Sequence, residues 1–327
     1  MKTEPGDNDV RDAFDELERG VRAALETYSN VHRGSGHHSM VSTHLFEQAR
    51  GIVLDYLGLS KRKYVVIFGS PRTAGTLAAQ LEPGRYRTAS SRDVGVPLGV
   101  RALAVERRAL PKSVPFLTGG GTARLVSADW VMWATAPGRF EAGTPAIVNV
   151  IAFAKALVLL QRIGLDVILE EEQALTARAL LGMARIPGLK IYGIANPEST
   201  SFVHKGGVIP FDLKSLISHT VARMLAARGG IGVRSGCHCA HLTVKRMLSV
   251  QPWAERLQGL ILTVARRFEL PGVVRVSLGI ENSEEDVDTL IHALDGIARQ
   301  PKSGSPEKNV RQQMDEFSEA AARRVYC

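Results

Sequence analysis

Val10, Phe14, Leu17, Val21 and Leu25 recur at three- and four-residue spacings, a period that predicts an amphipathic helix over residues 9–28. The polar, histidine-rich residues 29–38 predict a loop, and a second helix is expected over 43–56, closed by Leu57-Gly58. Residues 63–68 read as a buried strand that empties into Gly69-Ser70-Pro71-Arg72-Thr73, a turn leading toward another helical stretch. That strand–loop–helix order is the one α/β folds use to set backbone N–H groups around a phosphate. Apolar residues 97–105 predict another strand, followed by the Gly119-Gly120-Gly121-Thr122 turn and a strand through Trp130-Val131-Met132-Trp133. Pro145 then opens a long apolar helix to about residue 162, since proline in a first turn forfeits no intrahelical hydrogen bond.

From about residue 165 the pattern changes. A helix is expected over 170–183, strands over 189–194 and 201–211, a helix over 213–227, and strands over 232–234 and 273–278. A final helix runs to residue 299, with Asn282 and Glu285 as its capping pair. The expected organisation is an N-terminal domain over 1–164, a smaller α+β domain over 165–299, and a linker and tail over 300–327.

Composition narrows the class. With 327 residues, 45% hydrophobic and 23% charged, the chain has the balance of a globular protein. Its longest apolar run, 147–160, is interrupted by Lys155 and falls short of the roughly 18–20 residues of a membrane span. The acidic N-terminal stretch lacks the apolar core of a secretion signal, so a cytoplasmic protein without a membrane partner is expected. Three cysteines, at 237, 239 and 327, suit reduced thiols better than a disulfide framework. The net charge of +8 comes from lysines and arginines scattered singly or in pairs, which argues against a nucleic-acid partner.

Four colinear segments carry a family resemblance. Asn30-Val31-His32-Arg33-Gly34, Arg139-Phe140-Glu141-Ala142-Gly143-Thr144-Pro145, Val233-Arg234-Ser235-Gly236-Cys237-His238-Cys239-Ala240, and Arg275-Val276-Ser277-Leu278 with Glu284-Glu285-Asp286-Val287-Asp288 resemble the cysteine desulfurase branch of the class V aminotransferases. The resemblance covers roughly residues 10–299. It implies an α/β fold of type I, with a large domain around a mostly parallel sheet and a smaller C-terminal α+β domain. It further implies a homodimer, pyridoxal phosphate as cofactor, and a small amino-acid substrate such as cysteine.

The resemblance also shows where this chain departs from the pattern. The family's Schiff-base segment reads S-x-H-K-x-x-G-P-x-G-x-G-x-L, and the matching run here is 90–103, from Ser90 to Leu103. Asp93 occupies the lysine position and Arg92 the histidine before it. An aspartate cannot condense with an aldehyde, and its charge opposes a nearby phosphate. Asp93 lies only 20 positions after Thr73. A βαβ unit needs roughly 30 residues, so the units that carry the cofactor's ring contacts in the family have no room here. The large domain is therefore expected to be abbreviated. Lys61, Lys63, Lys112 and Lys155 all lack the strand–turn context of the anchor.

Carried over residue by residue, the resemblance gives Thr73, Ser90, Arg92 and Thr144 as cofactor-side positions and Cys239 as the persulfide thiol. Arg275, Arg234 and His32 become substrate-side positions. Thiolate is the reactive form of cysteine, and Arg234 and His238 are the cations the sequence sets beside Cys239. Arg275 has the bidentate fork that suits a carboxylate. Thr144 reads equally as a helix N-cap before Pro145, and Cys239 equally as an inherited loop cysteine. The principal expectation is a desulfurase-like protein without ordinary lysine-bound chemistry, handling sulfur at Cys239 or acting as a dimeric scaffold. A second is an active transferase or desulfurase with displaced catalytic groups. A third is a metal-binding module through Cys237, Cys239 and His241.

Overall fold

Strand β1 (Tyr64–Gly69) is apolar along nearly its whole length because both of its faces are covered. In the computed structural model, which describes residues 7–32, 34–214, 216–251, 272–299 and 307–326, β1 joins β2 (Tyr86–Ser90) and β3 (Arg101–Glu106) in a sheet of order β1-β3-β2. Val66, Phe68, Ala102 and Ala104 pack with Phe46, Ala49 and Val53 of helix α2 (His37–Tyr56) and with Val150, Phe153 and Leu157 of α4 (Ile147–Ile163). Ile67, Leu103 and Val105 face the other way, onto Leu77 of α3 (Pro71–Ala78), Leu81 and Phe140. The alternation follows from the two-residue period of a strand. Helix α1 (Asp7–Glu26) is tied to α4 through Glu16, which pairs with Lys155 and, at 2.6 Å, with Arg162.

The type I α/β fold holds, but the mostly parallel sheet expected of its large domain does not. β1 and β2 both pair antiparallel with β3. Parallel neighbours need crossovers of a dozen or more residues. Only residues 91–100 separate β2 from β3, and that length permits only antiparallel pairing. β1 and β2 still run in the same direction, joined through α3, with β3 inserted between them.

The predicted strand over 97–105 begins only at Arg101. Residues before it form a loop held by Asn149 Nδ2, which donates to the Leu98 carbonyl at 2.9 Å. The expected strand through Trp133 is β5 (Val131–Trp133), paired with β4 (Ala123–Val126) in a separate ribbon.

The chain divides into two compact units, Met1–Val167 and Ile168–Cys327. The second is built on β6 (Leu189–Ile191), β7 (Val208–Leu213), β8 (Arg234–Gly236) and β9 (Val273–Ser277), in the order β6-β7-β9-β8 and all antiparallel. Ile209, Phe211, Val274 and Val276 point into one core with Leu180 and Met183 of α5 (Leu165–Met183). Val221 and Leu225 of α6 (Ser218–Gly229) and Leu290 and Leu294 of α8 (Glu284–Arg299) close the same core. On the other face Val273 packs with Tyr192 and with Val244 of the short helix α7 (His241–Met247). A last helix, α9 (Glu307–Tyr326), leaves Phe317, Val325 and Tyr326 exposed.

The strand expected over 201–211 is broken. A 3-10 turn, Thr200–His204, is followed by Lys205-Gly206-Gly207, and β7 starts at Val208. The helix cap is displaced by one residue. Ser283 Oγ accepts from the Asp286 N–H at 3.3 Å, and Asp286 Oδ2 accepts from the Ser283 N–H at 3.0 Å. Asn282 instead uses its side-chain oxygen to close the preceding turn onto the Gly279 N–H. Ser283→Ala is expected to lower the stability of this unit by about 1 kcal/mol, checked by urea denaturation. An unchanged midpoint would show the cap to be idle.

Candidate functional site

The positions inherited from the cofactor side lie in the first unit. Gly69 and Ser90 both stand opposite Arg101 in the sheet register, so the loops leaving β1 and β2 emerge at the same end of the sheet. Ser70 caps α3: its hydroxyl accepts from the Thr73 N–H at 3.1 Å and lies 2.8 Å from the Thr73 hydroxyl. Ser90 is buried, and its own N–H donates to Asp93 Oδ2 at 2.9 Å. Asp93 N–H returns a bond to the Ser90 carbonyl at 2.9 Å, and the Arg92 N–H donates to Ser90 Oγ at 3.3 Å. Asp93 is thus a turn-closing residue, with its carboxylate spent on the backbone at the position where the family carries its lysine.

This end of the sheet does not fit pyridoxal phosphate. The anchor is a committed carboxylate, Arg92 is exposed, and only α3 and β2 lie between Thr73 and the end of the Ser90 strand. Arg101, where the quoted family segment has glycine, has its Nε buried without a partner among the described residues. Lys61 pairs with Asp55 at 3.0 Å, Lys63 with Glu106 at 3.0 Å, and Lys155 with Glu16. Thr144 is exposed, and α4 starts beyond it with Ala146 at the cap position, so the threonine does not cap that helix.

His32, at φ 61°, is held against α2. Its N–H donates to Thr43 Oγ1 at 3.0 Å, its Nε2 lies 3.3 Å from Glu47, and its ring meets Phe46 edge-on. Glu141 of the Arg139–Pro145 segment has a structural task that no local pattern reveals. Both its carboxylate oxygens take Arg50 guanidinium bonds at 2.7 Å, and one also accepts the Phe68 N–H at 2.7 Å. Arg50 is buried between the rings of Phe46 and Phe68. Burial pulls its pKa down, but the hydrogen bonds and charge of Glu141 more than offset this and hold it above the ordinary value.

The thiol site lies in the second unit. The Ala240 N–H donates to the Cys237 carbonyl at 2.8 Å, closing a turn whose central residues, His238 and Cys239, have φ of 51° and 57°. Left-handed backbone at non-glycine residues costs on the order of 1–3 kcal/mol each and persists only where surroundings impose it. Here the neighbouring strand does so. His238 Nε2 donates to the Val273 carbonyl of β9 at 2.9 Å, and Val273 stands opposite Gly236 in the register. A Cβ on Gly272 would fall 2.4 Å from the Gly236 backbone, so β8 and β9 meet here at closer range than any side chain allows.

Cys239 is exposed, and Arg234 Nη2 approaches its sulfur at 3.7 Å. Arg234 and Arg275 stand directly opposite each other across β8 and β9. Two like charges in that relation repel unless an anion lies between them. The Nε of Arg275 is buried with no hydrogen-bond partner among the described residues.

His238 is not the cation beside the thiol that the sequence suggested. Its Nε2 proton is engaged by the Val273 carbonyl, its Nδ1 is buried without a partner, and burial pulls its pKa below the ordinary 6.5. Because the folded pKa is depressed, this unit keeps the full contribution above about pH 6.5 and loses it as pH falls through the folded value. Urea midpoints are expected to drop on acidification below pH 6.5, and less so in His238→Asn. Equal slopes would contradict this assignment.

Cys237, Cys239 and His241 do not gather into a metal site: among the described residues no group of three or more His, Cys, Asp or Glu side chains could hold an ion. Sequence reasoning missed His219 of α6, whose Nδ1 lies 3.0 Å from Ser235 Oγ on β8. The two are 16 positions apart, and nothing in the local pattern signals the contact.

The family model for class-V aminotransferases matches residues 87–290. The chain belongs to the class-V aminotransferase family. This class-V protein is cysteine desulfurase-like: it is 35% identical over 198 residues to a probable cysteine desulfurase of Staphylococcus aureus (strain COL), covering 61% of this chain and 41% of that protein. It is 31% identical over 208 residues to probable cysteine desulfurase 2 of Mycobacterium leprae (strain TN), covering 62% and 43%. The chain thus spans about two fifths of the length of these relatives. In fold it is similar to the apo cysteine desulfurase of Thermococcus onnurineus NA1, with a TM-score of 0.60 at 22% identity over 89% of this chain and 92% of that one. The cysteine desulfurase CsdA of Escherichia coli, in its S-sulfonic acid form, gives 0.59 at 17% identity over 86% and 91%. Among the described residues no single helix of the class-V chain is long and apolar enough to cross a membrane.

Proposed function

We propose that this class-V protein carries sulfur on Cys239 and does so without lysine-bound pyridoxal phosphate. The observation that carries the reading is the exposed Cys239 thiol, held in a strained turn with the Arg234 guanidinium at 3.7 Å. Thiolate is the form that attacks sulfur. The Cys239 thiolate attacks the outer sulfur of a small persulfide. A sulfur–sulfur bond forms to Sγ, the donor's own sulfur–sulfur bond breaks, and the donor leaves as a thiolate. The facing Arg234 and Arg275, with the unpartnered Nε of Arg275, suit a donor bearing a carboxylate, such as the persulfide of cysteine. Such chemistry belongs in a reducing compartment, and we place the protein in the cytoplasm.

The misfit at Asp93 supports the cofactor half of the reading. Treatment with pyridoxal phosphate and borohydride is expected to leave no single stoichiometric lysine adduct by peptide mass spectrometry. One such adduct on one lysine would overturn it.

The reading includes a homodimer. The β4–β5 ribbon exposes Leu125, Val126, Trp130 and Met132. A lone two-stranded ribbon is marginally stable in water, and an apolar cluster on it marks a contact surface. Sedimentation velocity is expected to give a dimer, and Trp130→Glu with Met132→Glu a monomer. A dimer that survives both changes would place the interface elsewhere.

A further inference from the structure

The chain carries a second thiol, Cys237, where the family segment usually has histidine, and the fold sets it in the same turn as Cys239. We infer that Cys237 is a resolving thiol, which discharges the sulfur held on Cys239 as hydrosulfide. The inference rests on the sulfur-carrying reading of Cys239.

The geometry argues for it in three ways. The hydrogen bond from Ala240 to Cys237 and the left-handed backbone at His238 and Cys239 fold the three residues back on themselves. Two residue steps span at most about 7.2 Å even when extended, and the turn closure shortens that. Disulfide-bonded cysteines have Cα atoms roughly 4.4–6.8 Å apart, a range that lies within this limit. The turn is also held from outside. His238 is bound to the Val273 carbonyl at 2.9 Å, and the strand leading into Cys237 is fixed by the Gly236–Gly272 approach. The two cysteines are therefore kept in one turn by a neighbouring strand, at the expense of backbone strain. Finally, the bland use for two closely spaced thiols, a metal site, has no third ligand among the described residues.

The step balances as thiol–disulfide exchange. The Cys237 thiol gives its proton to solvent, and its sulfur attacks Sγ of Cys239. The Cys237–Cys239 bond forms, the bond from Sγ of Cys239 to the outer sulfur breaks, and that sulfur leaves with the electron pair as hydrosulfide. The outer sulfur is reduced as the two thiols are oxidised to a disulfide. A small thiol or dithiol then restores the pair by ordinary exchange.

The test uses the full chain with Cys327→Ser, which removes the third thiol, and compares it with Cys237→Ser and Cys237→Ala in the same background. Each is pulsed with inorganic polysulfide and desalted, then followed by intact mass and hydrosulfide release. The parent is expected to release one hydrosulfide per chain and lose the mass of two hydrogens. Both Cys237 variants should keep one added sulfur atom for at least an order of magnitude longer. Equal lifetimes in parent and variants, with sulfur present on Cys239, would overturn the resolving role and leave the carrier reading intact. No sulfur on Cys239 in the Cys237 variants would overturn the carrier reading and this inference with it.

Discussion

Glu141→Ala is expected to cost the first unit about 3–5 kcal/mol, because it leaves a buried guanidinium without its counter-charge. Arg50 sits between two aromatic rings, makes paired bonds of 2.7 Å to Glu141, and also donates to the Val66 carbonyl at 2.8 Å. Removing the carboxylate additionally orphans the Phe68 N–H in β1. Glu47, at 3.0 Å from Arg50 but half-exposed, screens only part of the loss. Urea denaturation gives the overall change, and hydrogen exchange at the Phe68 amide localises it. A loss below about 1 kcal/mol with unchanged exchange would mean that the pair is replaceable by water, contrary to its burial.

Gly272→Ala is expected to be the most damaging small change near the thiol turn, at about 3 kcal/mol, the upper end of what overpacking costs. The new methyl would meet the Gly236 Cα and carbonyl carbon at 2.4–2.5 Å. Backbone cannot swing aside as a long side chain does, so β8 must part from β9. That frees His238 from Val273 and relaxes the left-handed turn at Cys239. The variant should lose stability in the second unit and carry sulfur poorly on Cys239. A variant as stable as the parent, with unchanged sulfur uptake, would show that the turn does not depend on this crossing.

What the sequence disclosed, and what it hid, divide along the range of the interactions. Motifs that are local and long were readable: the Arg139–Pro145 and Val233–Ala240 segments place the family, whose model matches residues 87–290. Apolar runs were readable too, since Val66 and Phe68 face one core and Ile67 the other. Strand direction was not, because it depends on which crossovers remain, and here a ten-residue loop between β2 and β3 leaves only antiparallel pairing. β2 escaped notice since Tyr86-Arg87-Thr88 lie on its more exposed half. The break before β7 has a cause 35 positions away: the Gly207 N–H is bound by Glu172 at 2.7 Å, with no space there for a side chain. The tie between Arg50 and Glu141 spans 91 positions and leaves no periodic trace. Asp93 reads in the sequence as standing at the lysine position of the resembled segment, but not as a turn-closing residue, because that requires the Ser90 N–H in place.

Sulfur chemistry at Cys239 is expected to persist without the lysine-bound cofactor. The direct measurement is to free the protein of pyridoxal phosphate, expose it to a small persulfide, and map added sulfur by peptide mass spectrometry. One sulfur atom is expected on the Cys237–Cys239 peptide of Cys237→Ser, and none on that of Cys239→Ala. Absence of sulfur from that peptide, or uptake only after pyridoxal phosphate is supplied, would contradict it.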